Sequence, residues 1–142
     1  MTNDSVQYQI KGIEILDVQL IYPENPQEKL EKYGFEISLE HKVNFSSKIV
    51  FVVPKITIIN DLNKSVLGSI RISCAYQVEN FDQFADEAKG TINFPKYFEL
   101  AINTVSISTA RGIMFGQFRG TLLQNAILPV IDPNSLNQKK EM

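Results

Sequence analysis

The sequence has little of what most protein chemistry requires. Its 142 residues include one cysteine, one histidine and no tryptophan. One cysteine cannot form an internal disulfide, and one cysteine with one histidine cannot supply the four ligands of a structural zinc site. The 14 basic and 16 acidic residues nearly cancel, so there is no basic excess of the kind that binds phosphate backbones. We therefore expect no disulfide, no metal, no cofactor and no nucleic-acid partner.

Long apolar runs are also absent. No segment approaches the roughly 18 consecutive apolar residues of a membrane span, and the N-terminus lacks the basic and apolar regions of a signal peptide. The 44% apolar and 21% charged residues are typical of a folded domain, and a chain of this length buries roughly two-thirds of its unfolded surface. We expect one cytoplasmic domain over residues 1–142, with an ordered core from about residue 6 to 136 and no membrane insertion.

Alternating apolar residues predict four β-strands before about residue 80. The first strand is apolar on both faces, with Ile13 and Ile15 on the face opposite Ile10, and Gly12 predicts a bulge within it. A polar, proline-containing stretch over residues 23–32 then predicts a long crossover. The second strand has one polar face, which indicates an antiparallel sheet.

The apolar spacing changes to three and four residues after Pro95, which predicts a long helix that continues to about Gln117. Because glycine is unfavourable by about 1 kcal/mol inside a helix, Gly112 requires a packing reason, unless the helix ends there. We favour continuation. Small residues spaced four apart then form a stripe that a second backbone can approach, consisting of Thr104, Ser108, Gly112 and Gly116. Asp132 before Pro133 predicts a short last helix of one or two turns.

The sequence offers little support for catalysis. His41 and Cys74 both fall in phase with the buried residues of strands, where inert core side chains are the expected role. The glycines between residues 111 and 116 follow helical spacing and do not follow a strand, so they do not form a phosphate-binding loop. We expect that the protein is not an enzyme.

Several aromatic residues lie at strand ends and in connections, where strand alternation does not explain them. Such residues either close the core beneath loops or line a groove. The aromatic members are Tyr22, Tyr33, Phe81, Phe84 and Phe94, and the apolar residues Leu122 and Leu123 extend the set.

The order of elements and several short motifs resemble the export chaperone family SecB. The motifs are Tyr8-Gln9-Ile10 with Ile13, Asp17 and Pro23, then Tyr33 after the crossover, and Arg119-Gly120-Thr121-Leu122-Leu123-Gln124 followed by Pro129-Val130. The resemblance extends over residues 8–136. It implies an α+β fold with a four-stranded antiparallel Greek-key sheet, one long helix and a short C-terminal helix. It also implies a homotetramer built as a dimer of dimers, with a dimer as the alternative.

The resemblance further implies an ATP-independent chaperone, or holdase, that binds unfolded or preprotein polypeptides. We place polypeptide binding on the aromatic and leucine set listed above, and the oligomer contacts on Ile13, Ile15 and the small-residue stripe. Related chaperones dock on the export motor SecA through acidic residues of the outer sheet face. Asp17 matches one of these, but Ile21 and Arg71 replace two others, so SecA is a doubtful partner. The alternatives are a dedicated interaction module, such as an antitoxin-specific SecB-like chaperone, and, ranked last, a small-ligand or enzymatic domain.

Overall fold

Four long strands form an antiparallel sheet in a computed structural model that describes residues 5–22 and 32–132 and the backbone of residues 138–140. The strands are β1 (Tyr8–Leu20), β2 (Tyr33–Asn44), β3 (Ile49–Asn60) and β4 (Val66–Val78). Their order in the sheet is β1-β4-β3-β2, so the meander of β2, β3 and β4 is completed by β1 beside β4. This is the predicted Greek key.

Two tight turns join the strands of the meander. Lys48 and Lys64 adopt positive φ angles of 58° and 62° in the β2–β3 and β3–β4 turns. The side chain of Asn44 accepts a hydrogen bond from the Ser47 amide, and that of Asn60 accepts one from the Leu62 amide. These side-chain bonds replace the missing ladder bonds of the turns, which is why asparagine occupies both positions.

Strand β1 contains two bulges. Because of them, the prediction that Ile13 and Ile15 lie on the face opposite Ile10 is wrong. The register with β4 shifts between Ile10 and Gly12, as predicted, and again between Ile15 and Asp17. Each shift returns the following residues to the previous face. Ile13 pairs with a core residue of β4, so Ile13 and Ile15 lie on the same face as Ile10, towards the helix.

The chain between β4 and the helix is a 3₁₀ turn over Phe81–Gln83 followed by a short hairpin of β5 (Ala85–Asp86) and β6 (Thr91–Ile92). Helix α1 (Lys96–Gln117) then begins after Pro95 and continues through both glycines, as predicted. It lies across β3 and β4 and buries one face against them. The buried residues of that face are Phe98, Ile102, Asn103, Ser106, Ile107, Ala110 and Met114.

A buried hydroxyl pair ties α1 to the sheet. Tyr76 of β4 donates to the Ile102 carbonyl at 3.2 Å, so its oxygen accepts from the Ser106 hydroxyl, 2.7 Å away. Tyr76 is only 1% exposed, and burial raises its pKa to about 12. These bonds satisfy the hydroxyl groups of Tyr76 and Ser106, which the helix and sheet bury together.

The segment after α1 returns along the helix. Arg111 holds it by donating to the carbonyls of Leu128 and Pro129, each at 2.9 Å. Most of the predicted C-terminal helix falls on residues 133–137, outside the described residues, as does most of the predicted crossover at 23–31. Where the chain is described again, Gln138–Lys140 form a strand, β7, and not a helix. No helix of the described residues is long and apolar enough to cross a membrane.

Candidate polypeptide-binding surfaces

The structure separates the predicted polypeptide-binding residues into two groups at opposite ends of the sheet. One end, called the hairpin end here, contains the β3–β4 turn, the start of β2 and the end of β1. The other, called the helix-entry end, contains the chain that leaves β4 and enters α1. The hairpin end carries Tyr22, Tyr33, Leu122 and Leu123, and the helix-entry end carries Phe81, Phe84 and Phe94.

At the hairpin end, Tyr33 and Leu122 are half-buried neighbours. The Tyr33 hydroxyl donates to the Leu122 carbonyl at 3.1 Å. Leu123 is 1% exposed and packs against Gly68. The contact is so close that a Cβ added to Gly68 would lie 2.7 Å from Cδ1 of Leu123. Tyr22, by contrast, is 73% exposed. Leu123 therefore belongs to the core, and the accessible apolar surface at this end comes from the other three.

At the helix-entry end, the phenylalanines form a continuous cluster. Phe94 lies 6.0 Å from Phe81, 5.7 Å from Phe84 and 4.9 Å from Phe98 between ring centroids. Phe81 is 2% exposed, and the edge of its ring also meets Phe45. Edge-on and tilted contacts of this kind stabilise aromatic clusters. Phe84 and Phe94 are half-buried, so they are the accessible members of the predicted set.

The largest exposed apolar feature is a row of side chains on the helix side of β1. These side chains are 37–48% exposed because α1 lies mainly over β3 and β4. Tyr8, at the start of β1, meets the helix through Phe98, 4.8 Å away between ring centroids. We call it the β1 row; it consists of Tyr8, Ile10, Ile13, Ile15 and Val18. Periodicity missed it, because the two bulges change the face on which each residue lies. A contiguous exposed apolar row on an edge strand is typical of an interaction surface.

The opposite face of the sheet carries charged residues. Arg71 of β4 reaches across β3 to Glu40 of β2, with 3.2 Å between nitrogen and oxygen, and Lys42 lies 3.4 Å from the same carboxylate. Asp17 is exposed, pairs in register with Arg71 and accepts a hydrogen bond from Gln19. Two cations therefore accompany Glu40, and the face presents no cluster of free carboxylates at this point.

His41 and Cys74 do not form a nucleophile and base. They lie in one row of the sheet with Val52 of β3 between them, so their backbones are about 10 Å apart. His41 instead bonds to Asn103 of α1, with 2.6 Å between Nε2 and Oδ1. Burial raises the pKa of the Cys74 thiol. Within residues 5–22 and 32–132, no three acidic, histidine or cysteine side chains converge on one point.

Comparison with known proteins supports the fold alone. No family model and no curated protein matches the sequence. Among solved structures, the chain resembles the SecB-like chaperone Rv1957 of Mycobacterium tuberculosis, determined in complex with a ChAD peptide from the HigA1 antitoxin. The TM-score is 0.60 at 11% identity, over 87% of this chain and 90% of the other. A Streptococcus agalactiae protein of unknown function gives a TM-score of 0.44 at 8% identity, over 80% and 89% of the two chains. The α+β fold is thus that of a SecB-like chaperone.

Proposed function

We propose that this protein is an ATP-independent chaperone that binds unfolded polypeptide segments. The observation that carries the proposal is the fold likeness, over nearly the whole chain, to a SecB-like chaperone that was determined with a bound peptide. The exposed β1 row and the half-buried aromatic residues at both ends of the sheet support it. Binding of this kind needs no catalytic group, no metal and no cofactor, and a cytoplasmic location is part of the proposal.

The binding chemistry is the burial of client side chains. Each large apolar side chain that becomes buried contributes roughly 1.5–3 kcal/mol, and ordering the client offsets part of this gain. The two ends of one sheet are separate surfaces, so each alone binds weakly. A long client that contacts several of them, on one chain or on several copies, gains affinity through effective concentration.

Assembly into a homo-oligomer, a dimer or a tetramer, is part of the proposal. Ile13 and Ile15 belong to the β1 row, on an edge strand that has β4 on one side and no strand on the other within the described residues. The small-residue stripe of Thr104, Ser108, Gly112 and Gly116 is fully on the exposed face of α1. Both surfaces are uncovered in the single chain, and a second copy would bury them.

The second candidate is a dedicated chaperone for one protein. The peptide in the Mycobacterium tuberculosis complex comes from an antitoxin, which favours a specific client of that class for this chain too. The two candidates differ in one measurement: suppression of aggregation of several unrelated unfolded proteins. A general holdase protects all of them at similar ratios, whereas a dedicated chaperone protects only its own client.

Protein export through SecA is the doubtful element of the proposal. Arg71 neutralises Glu40 on the outer sheet face, and Ile21 exposes an apolar side chain on β1's continuation. A basic partner therefore meets a mixed surface, on which Asp17, Glu14 and Glu36 are exposed acids. We keep preproteins among the clients and leave SecA docking to the test described in the Discussion.

Alanine substitutions at the two ends of the sheet test the polypeptide-binding surfaces. We expect Tyr33→Ala and Phe84→Ala to weaken retention of an unfolded client several-fold and to lower the melting temperature moderately, because both side chains are half-buried and lose part of their contact with the core. Two control variants should retain the client as the unaltered protein does. Tyr33→Phe keeps the ring and loses only the hydrogen bond to the Leu122 carbonyl, and Phe115→Ala removes exposed apolar surface of α1 outside the predicted binding residues. Large destabilisation with unaltered retention would show that Tyr33 and Phe84 only close the core.

A further inference from the structure

The outer edge of β2 is occupied by a strand from the same chain, but only in part. β7 runs parallel to β2 and pairs Gln138 with Leu39, Lys139 with Glu40 and Lys140 with His41. β2 has 12 residues, and three of them are paired on this edge. Within the described residues, the rest of the edge has no strand partner. Among the described residues, the backbone donors and acceptors of β2 on both sides of its pairing with β7 therefore have no strand partner.

The pairing of β7 is weak by its nature. It is parallel, which is slightly less stable per residue than antiparallel pairing, and it is three residues long, at the lower limit of the usual length of a strand. The sequence of β7 is Gln-Lys-Lys, so it has no apolar side chain to bury. The pairing of β7 with β2 is a main-chain strand pairing, and any extended segment can form such a pairing.

The neighbouring side chains of β2 suit an apolar segment. Phe35, Ile37 and Val43 lie on the helix side of the sheet and are only partly buried against the core. Between them, His41 has a buried Nδ1 atom with no hydrogen-bond partner in the described part of the chain. Because β7 already pairs at His41 and leaves this nitrogen without a partner, the case for a longer strand rests on the apolar side chains, which such a strand would cover.

We propose that the β2 edge is a strand-addition site for an extended segment of a client polypeptide, and that β7 is a built-in competitor for it. The proposal rests on the chaperone function proposed above and deepens it. Strand addition obtains affinity from main-chain bonds and tolerates many sequences, as a chaperone requires. A second copy of the chain fits less well, because β7 blocks the middle of the edge to a rigid strand, whereas a flexible client can displace it.

A disulfide that locks β7 in place is the first test. Glu40 and Lys139 are register partners, and paired strands lie about 4.8 Å apart, within the range that a disulfide spans. We expect oxidised Glu40→Cys/Lys139→Cys protein to bind a fluorescent, carboxymethylated, permanently unfolded α-lactalbumin about tenfold more weakly than the reduced protein. Comparing one protein in two redox states removes differences in folding, and Glu40→Cys alone controls for the lost contact with Arg71.

Weakening β7 is the converse test. Replacing Gln138, Lys139 and Lys140 by proline removes three backbone donors from the competitor without altering β2. We expect about a three- to tenfold lower Kd for the same client, because the open edge is then populated more of the time. Unchanged or weaker binding by this variant, or equal binding by the oxidised and reduced cysteine pair, would overturn the proposal while leaving the chaperone function standing. If the unaltered chain does not bind the client, the chaperone function itself fails.

Discussion

Replacement of Gly112 by leucine should change the stability of the protein in opposite directions in a single chain and in an oligomer that packs through α1. Gly112 is exposed on α1, and among the described residues no atom outside its own stretch of helix lies within 4 Å of the position that its Cβ would occupy. In the isolated chain, alanine or leucine there would only remove the backbone freedom of glycine. Either substitution should then stabilise the fold by about 1 kcal/mol.

In an oligomer that packs through the small-residue stripe, a leucine at this position meets a second helix. Overpacking a tight contact costs about 1–3 kcal/mol, which equals or exceeds the helix-propensity gain of about 1 kcal/mol. Gly112→Leu should therefore be neutral to about 2 kcal/mol unfavourable in each subunit. For a domain of this size, that is a fall in melting temperature of up to about 6 °C.

Native mass spectrometry and thermal unfolding together decide between these outcomes. We expect Gly112→Leu to lower the assembly state, and Gly116→Leu to do the same because Gly116 has equally open surroundings. Gln117→Leu adds the same side chain at an exposed position off the stripe and should leave assembly unaltered. A monomeric unaltered chain, or a Gly112→Leu protein that melts higher with its assembly intact, would refute the reasoning.

Three further predictions follow from single contacts. Gly68→Ala should destabilise the protein by about 1–3 kcal/mol in urea unfolding, because its Cβ would lie 2.7 Å from the Gln19 carbonyl oxygen, a backbone atom that cannot turn away. The pKa of Tyr76 is raised from 10.0 to about 12 in the folded protein, so between these pH values the unfolded chain loses the Tyr76 proton while the folded protein keeps it. The free energy of unfolding should therefore fall as pH rises from about 10 to 12, and Tyr76→Phe should abolish that part of the fall. Calorimetry with a SecA C-terminal peptide should detect no tight binding that depends on Asp17, and a clear loss of tight binding in Asp17→Ala would show that Arg71 does not prevent SecA docking.

Much of the fold could be predicted because its signals are local. The change of apolar spacing after Pro95 marks α1, and the helix does run to Gln117. Alternation likewise identified four strands, with the last ending at Val78. The spacing of apolar residues indicates which face of a helix or strand is buried, and that spacing involves residues only two to four positions apart in the sequence.

The candidate surfaces were less predictable, because they depend on strand pairing. Gly12 signalled the first bulge of β1, but no glycine marks the second, next to Leu16. The second bulge is visible only in the register between β1 and β4, and because of it Ile15 and Val18 lie on the same face of the sheet. The positions of the aromatic residues also depend on strand pairing. Tyr33 and Phe84 are both aromatic residues at strand ends or in connections, yet the Greek-key order places them at opposite ends of the sheet.

By itself, the sequence determined the four strands, the long helix and the placement of His41 and Cys74 on the core-facing side of their strands, because hydrophobic burial sets these positions from local periodicity. Only the tertiary structure decided which apolar side chains remain uncovered. The β1 row is exposed because α1 lies mainly over β3 and β4 and meets β1 at Tyr8, not along its length. Likewise, Gln138–Lys140 carries no strand signal of its own, and its pairing comes from the free backbone groups of β2.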